Sequence, residues 1–193
     1  MRIVAGTLRG RTLATPSHDG LRPTSDRVRE AVFNILIHAV SPTAIEGARV
    51  IDLFAGTGAL GIEAISRGAR YCLFVETGSD ARALIRRNVE AFGLTGVTRL
   101  FRRDATDLGP AGNMEPFDIA FLDPPYAKGL GEKALQALLQ GRWLKPGAVV
   151  VLEESAGAEI AIPMGFAELD RRTWGETTVH FLTAAETLGA SRT

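Results

Sequence analysis

From Arg49 onward, short apolar runs alternate with stretches that are apolar on one helical face only. That alternation predicts parallel strands joined by helical crossovers. The expected strands are Arg49–Phe54, Arg70–Glu76, Val97–Arg103, Phe117–Asp123 and Ala148–Glu154, with helices over Ala59–Arg67, Asp80–Phe92 and Leu130–Leu139. Four of these strands read as near-continuous hydrophobics, as a sheet covered on both faces requires, and Val97–Arg103 matches less well. After Glu154 the period changes to two. Phe166–Thr173 and Thr177–Thr183, on either side of Trp174-Gly-Glu176, predict an antiparallel hairpin that closes a sheet edge. The small and polar Ala184–Thr193 is expected to fray. The fold class is therefore α/β: a doubly wound, seven-stranded, mostly parallel sheet with an antiparallel C-terminal hairpin.

Before Arg49 the pattern is different. Ile3–Ala5 and Thr12–Ala14 flank Gly6-Thr-Leu-Arg-Gly10 and predict a small hairpin. Leu21-Arg-Pro-Thr-Ser-Asp26 then leads into a helix with Val28, Val32, Phe33 and Leu36 on one face, with Thr24 or Ser25 as N-cap and Pro23 just outside. No linker is long enough to separate a second unit, so one domain spanning 1–193 is expected: a basic extension over 1–40 and an α/β core over 49–183.

With 193 residues, 46% of them hydrophobic, the chain can bury one real core. The formal net charge is zero, but its distribution is uneven: residues 1–29 hold six arginines against Asp19 and Asp26. A nucleic-acid arm and an ordinary solvated face both fit that bias. Only three of the 22 basic residues are lysines, and arginine's planar fork matches phosphate oxygens and base edges. High-GC codon usage would give the same bias. The single cysteine, Cys72, lies in a strand-like run and reads as a core thiol. No run approaches the roughly 18 apolar residues of a membrane helix, and the amino terminus lacks a signal peptide's apolar stretch. A cytoplasmic protein is expected.

Two segments carry the candidate chemistry. Asp52-Leu-Phe-Ala-Gly56-Thr-Gly58-Ala-Leu-Gly61 puts a G-x-G-x-x-G between a strand and a helix. In dinucleotide sites such glycines admit a pyrophosphate at the helix N-terminus, where a negative charge nearby is unwelcome. Asp52 stands there, four residues before Gly56. An acid at that place suits a cationic ligand without phosphate, and the ammonium and sulfonium of S-adenosylmethionine meet that description. Glu76, at the end of the second strand, is placed to accept both hydroxyls of a ribose. Asp104, after the third, is placed to accept from an adenine amine, with Ala105 offering its backbone N–H. Asn88 either bonds a loop or faces solvent.

The second segment is Asp123-Pro124-Pro125-Tyr126, directly after Phe117–Leu122. Two successive prolines remove two backbone donors and fix φ. An acceptor-only pair remains, the Asp123 carboxylate and the Pro124 carbonyl. It can hold both hydrogens of an exocyclic amine and aim the nitrogen at a methyl carbon. Asp123 also favours the positive charge that develops on nitrogen and can take its proton. Tyr126 would stack on the base, a contact worth about 1–3 kcal/mol.

At these residues the chain resembles the class I S-adenosylmethionine-dependent methyltransferases, and within them the RsmD family of 16S rRNA guanine-N2 methyltransferases. Arg2–Leu13, Leu21–Asn34 and Asp52–Ala64 are similar to that family's most distinctive stretches, and Asp123–Tyr126 to its catalytic motif, which other amino-methylating enzymes share. The resemblance implies a Rossmann-like core and transfer of one methyl group to a guanine N2 amine of 16S rRNA, in an assembled or partly assembled 30S particle. It implies that Asp52, Phe54, Ala55, Gly56, Gly58, Glu76, Asp104 and Ala105 line S-adenosyl-L-methionine, and that Asp123, Pro124, Pro125 and Tyr126 carry the chemistry. Arg22, Thr24 and Arg27 would border the active-site mouth, with Arg2, Arg9 and Arg11 joining them on RNA. A monomer is expected. After Glu76 this chain reads Thr77-Gly78-Ser79-Asp80, which departs from the family pattern, so no contacts are assigned to that loop.

Other readings remain at this point. An amino methyltransferase acting on DNA or another RNA would keep the same site, but no helix-turn-helix or zinc finger supports DNA reading. A non-catalytic RNA-binding assembly factor would bind cofactor without turnover. A nicotinamide oxidoreductase is opposed by Asp52. His18, His38 and His180 lack ligand spacing, so no metal is expected.

Overall fold

The computed structural model describes residues 1–16, 26–40, 45–125 and 129–186. Helix α1 (Asp26–His38) is followed by β1 (Arg49–Leu53), α2 (Ala59–Ser66), β2 (Tyr71–Val75), α3 (Ser79–Ala91), β3 (Thr98–Phe101), β4 (Phe117–Leu122), α4 (Leu130–Gln140), β5 (Leu144–Ser155), β6 (Phe166–Trp174) and β7 (Thr177–Ala184). The seven strands form one sheet in the order β3-β2-β1-β4-β5-β7-β6. β1 to β5 are parallel, and β7 lies antiparallel between β5 and β6.

Alternation along the strands explains why both faces are covered. Val50, Phe74, Ile119, Phe121 and Val151 point to the face packed by α1, α2 and α3. Their neighbours Ile51, Leu73, Ala120, Leu122 and Leu152 point to the other, which meets Ala134, Leu135 and Leu138 of α4. Phe33 of α1 rests on Phe121 with ring centroids 5.4 Å apart. Cys72 is fully buried, and burial pushes its thiol well above the usual range.

Four expectations need revision. β5 begins at Leu144 rather than Ala148, because Pro146-Gly147 forms a bulge inside the strand instead of a turn before it; the pairing jumps from Phe117↔Leu144 to Ile119↔Val149. β3 is shorter at both ends than Val97–Arg103. The small N-terminal hairpin is reduced to one bridge, Arg2↔Thr12, in which Arg2 lies one residue before the anticipated Ile3–Ala5 and Thr12 opens the anticipated Thr12–Ala14. Val4 and Ala5 instead donate their amides to the Glu63 carboxylate, at 2.8 and 3.0 Å. Finally, Ala184 ends β7 and is buried, and Ala185 N donates to Gly165 O at 2.8 Å, so order extends past the expected fraying point.

The N-terminal extension is thus a strap held against α2 and α3. Leu8 N donates to Ser66 Oγ at 2.9 Å, and Gly6 adopts φ +80° so close to Ser66 that a Cβ would sit 1.8 Å from its carbonyl oxygen. Ile3 and Leu13 join the core beneath. Arg29 of α1, fully buried, reaches Glu63 at 3.4 Å and also donates to the Arg2 carbonyl. The anticipated caps Thr24 and Ser25 lie outside the described residues.

Candidate active site

The chain runs outward from β1 through β2 to β3, then crosses back to β4 on the other side of β1. Where strand order reverses in this way, the loops after adjacent strands diverge and leave a crevice at the carboxyl ends of the strands. Both candidate segments emerge there, since Asp52 and Phe121 are register partners in adjacent strands.

The turn after β1 needs left-handed backbone at Phe54 (φ 56°), Gly56 (φ 56°) and Gly58 (φ 78°). Phe54 pays a steric cost there that the glycines do not. Gly61 is needed for a different reason: a Cβ on it would lie 2.4 Å from Phe74 and 2.5 Å from Cys72, so α2 could not settle on β2. Glu76 braces the turn, its two carboxylate oxygens accepting from Gly56 N at 3.0 Å and Gly78 N at 2.7 Å. Asn88 proves structural. Buried on α3, it donates to Thr57 O at 3.0 Å and accepts from Ala14 N at 2.7 Å, tying strap to turn.

Asp52 lies beneath the turn, only 1% exposed, with its carboxylate accepting from Gly61 N at 2.9 Å. Burial pushes its pKa up from 3.8 to about 8; the Gly61 amide opposes the shift and Glu76 adds to it. The residue therefore supports the turn from below and does not open onto the crevice. Because its folded pKa lies above its unfolded value, the folded state keeps a proton that the unfolded chain releases between about pH 4 and 8. Its stabilising contribution is full below the unfolded pKa and declines as pH rises through that window. Asp52→Asn cannot titrate and still accepts from Gly61. Urea unfolding should show the wild type losing stability relative to this variant by up to about 1.4 kcal/mol per pH unit across the window, then levelling. A difference that does not vary with pH would contradict the burial argument.

Beside the turn lies a cavity of about 230 Å³ walled by Phe54, Val75, Glu76, Thr77, Arg103, Asp104, Ala105, Thr106, Pro125 and Leu130. Of the sequence-derived candidates it brings together Phe54, Glu76, Asp104, Ala105 and Pro125. Ala55, Gly56 and Gly58 shape the turn next to it, and Asp123 and Pro124, which are not among its walls, join the end of β4 to Pro125 in the chain. The Asp104 carboxylate accepts from Thr106 Oγ1 at 2.7 Å and Thr106 N at 2.8 Å. The hydroxyl bond first, then the amide bond, hold it below the usual carboxylate range. It stays an ionised acceptor. Thr106 was missed at the sequence level, although Asp-x-Thr is a recognisable Asx-turn spacing.

Asp123 is half-buried and Pro124 buried, and the Asp123 amide reaches toward Leu53 O at 3.5 Å, joining the ends of β4 and β1. Tyr126, Arg22 and Thr24 lie outside the described residues. Arg2, Arg9 and Arg27 are exposed. Arg11 is exposed but engaged, donating to Ala91 O at 2.7 Å with its guanidinium 4.4 Å above the Phe92 ring.

The model of the family Conserved hypothetical protein 95 matches residues 1–183. Ribosomal RNA small subunit methyltransferase D of Haemophilus influenzae is 34% identical over 177 residues, 91% of this chain and 89% of that one. The chain belongs to this family. The Escherichia coli K12 protein of the same name is 37% identical over 154 residues, 79% of this chain and 74% of that one. Among solved structures, Escherichia coli yhhF superposes with a TM-score of 0.81 at 28% identity, covering 97% of this chain and 99% of that one. The fold alone is shared with a Salinibacter ruber RNA methyltransferase solved with S-adenosyl-L-homocysteine, at TM-score 0.63 and 19% identity, over 88% of this chain and 98% of that one.

Proposed function

We propose that this protein transfers a methyl group from S-adenosyl-L-methionine to the exocyclic N2 amine of a guanine in 16S rRNA, within an assembled or partly assembled 30S particle. The observation that carries this reading is the crevice at the β1/β4 switch point, where Glu76 and the ionised Asp104 wall the same cavity as Pro125 of the Asp-Pro-Pro turn. Membership of a family whose relatives are named for small-subunit rRNA supports the substrate.

The residues present fit the cofactor. Glu76 keeps acceptor capacity for ribose hydroxyls beyond the two amides it holds, and Asp104 with Ala105 offers the acceptor and donor that an adenine edge needs. They fit a dinucleotide poorly. An amide in the first turn of α2, where a pyrophosphate would dock, is already taken by Asp52, and Arg103 donates to Leu108 O at 2.7 Å rather than into the cavity. When bound, the cofactor supplies a methyl carbon on a sulfonium leaving group. The chain's own part is to hold and deprotonate. Asp123 and the Pro124 carbonyl accept the two amine hydrogens, which fixes the nitrogen lone pair on the line of attack. As the N–C bond forms and the S–C electrons stay with sulfur, Asp123 stabilises the cationic nitrogen and takes its surplus proton, directly or through water. No step requires a metal. Among the described residues no group of three His, Cys, Asp or Glu side chains is arranged to hold one, and no helix is long and apolar enough to cross a membrane.

Tritiated S-adenosylmethionine, incubated with this protein and small-subunit particles from cells lacking the enzyme, should place label in N2-methylguanosine after RNA digestion. Label in another nucleoside would overturn the guanine assignment. Label in DNA or protein alone would overturn the rRNA assignment and leave the amine chemistry standing.

A further inference from the structure

The charge of this chain is polarised along the sheet. Residues 79–103, which build α3 and the edge strand β3, carry six arginines (Arg82, Arg86, Arg87, Arg99, Arg102, Arg103) against Asp80 and Glu90. Residues 144–186, which build β5, β6 and β7 at the other end of the sheet, carry seven acidic against three basic side chains. A chain with zero net charge therefore has a strongly basic end and a strongly acidic one.

The basic end is organised. Between α3 and β3 lies a cleft of about 160 Å³ with Arg86 and Arg99 on its walls, Thr95 and Thr98 beside them, and Ile85, Val89 and Leu100 among its apolar residues; Glu90 is its one carboxylate. Arg86, Arg87, Arg99 and Arg102 are all exposed. Among the described residues none of these four is held in an ion pair, whereas Arg171 and Arg172 at the acidic end pair with Glu168 and Asp170. The strip has two anchored ends. Arg103, bonded to Leu108 O, stands at the wall of the cofactor cavity. Arg11, bonded to Ala91 O and stacked on Phe92, brings the basic strap to the C-terminal end of α3.

We infer that the α3–β3 edge is a second RNA-binding surface: Arg86 and Arg99, with Arg87 and Arg102 beside them, hold phosphates of the rRNA chain that flanks the target guanine. This rests on the rRNA reading above and deepens it. Arginines without carboxylate partners, spread along an edge that adjoins the cofactor cavity, match a run of phosphates better than a single anion. Arg99 also lies on β3, an edge strand that pairs only with β2 among the described residues, with Arg102 just after it, so the charge there blocks strand addition as well. Edge protection needs charge of either sign; phosphate binding needs it positive.

Binding of purified 16S rRNA by the full chain, followed through a potassium chloride series, tests this against a control of equal charge. Arg86→Gln/Arg99→Gln should weaken binding on the order of tenfold at low salt and flatten the slope of log affinity against log salt by about 1.5, the release expected of two phosphate contacts. S-adenosylhomocysteine affinity should stay within twofold of wild type, showing that the fold stands. Arg171→Gln/Arg172→Gln removes the same charge from the acidic end and should keep the wild-type slope. An unchanged slope in the first variant, or an equal change in both, would overturn the surface. A wild-type chain that bound the RNA with no salt dependence would overturn the rRNA reading and this surface with it.

Discussion

Asp123→Ala should lower the rate of methyl transfer by a factor on the order of 10² to 10⁴, the usual cost of losing a positioned base and the charge that stabilises a developing cation. Cofactor affinity should change by no more than a few-fold, because Asp123 does not wall the cavity lined by Glu76 and Asp104. Asp123→Asn separates two contributions. It keeps an acceptor for one amine hydrogen but neither attracts the positive nitrogen nor takes a proton, so it should fall between wild type and alanine. Single-turnover rates with saturating cofactor, alongside calorimetric titration of S-adenosylhomocysteine, supply both numbers. Near-normal turnover in the alanine variant would show that the acceptor role lies elsewhere.

Glu63→Ala should produce the largest loss of stability. This fully buried carboxylate accepts from Val4 N, Ala5 N and Arg67 Nε, and pairs with the equally buried Arg29. Removing it takes one of the acceptors of the buried Arg29 guanidinium, which keeps Asp26 at 2.9 Å and the Arg2 carbonyl, and leaves Arg67 Nε and two strap amides without theirs, at a cost of about 1–3 kcal/mol for each buried group left unsatisfied. Glu63→Gln retains an acceptor and should cost less, which keeps the test informative if the alanine variant does not fold. Urea unfolding gives the energies, and hydrogen exchange should show both the Val4 and Ala5 amides losing protection in Glu63→Ala and only one of them in Glu63→Gln. A loss under about 1 kcal/mol in Glu63→Ala, with those amides still protected, would mean that the strap is held by its apolar contacts at Ile3 and Leu13 alone.

The Glu63 network also shows where sequence reading reached its limit. Glu63 follows Ile62 in an amphipathic helix, a place where a glutamate ordinarily faces water. Its partners lie 34 and 59 positions away in the chain, at Arg29 and Val4. Periodicity reports which face of a helix is apolar and is silent about what covers the remaining face. Asn88 repeats the point: its place on α3 was evident, but its bonds to Ala14 and Thr57 depend on the strap lying across the helix.

Long periodic segments were legible because a strand buried on both faces and a helix buried on one leave patterns that need no partner to be recognised. β1, β2 and β4 and helices α2 to α4 fall within a residue or two of expectation for that reason, and the C-terminal hairpin follows from a change of period after Glu154. Local conformational demands were equally readable. The glycines of the turn after β1 and the paired prolines after β4 restrict φ wherever they stand, so the chemistry of these two segments could be derived before their meeting was seen.

What the tertiary structure alone decided is how such segments meet. Strand order brought Glu76, Asp104 and Pro125 to one cavity, and it put Asp52 under the turn instead of on its open side, where burial and not a ligand sets its proton affinity. It also turned the basic amino terminus into a strap whose arginines continue onto α3. Backbone preference and hydrophobic period are properties of a few neighbouring residues, and one sequence displays them. Burial, pKa and the assembly of a site depend on groups far apart in the chain, and only packing determines which of those become neighbours.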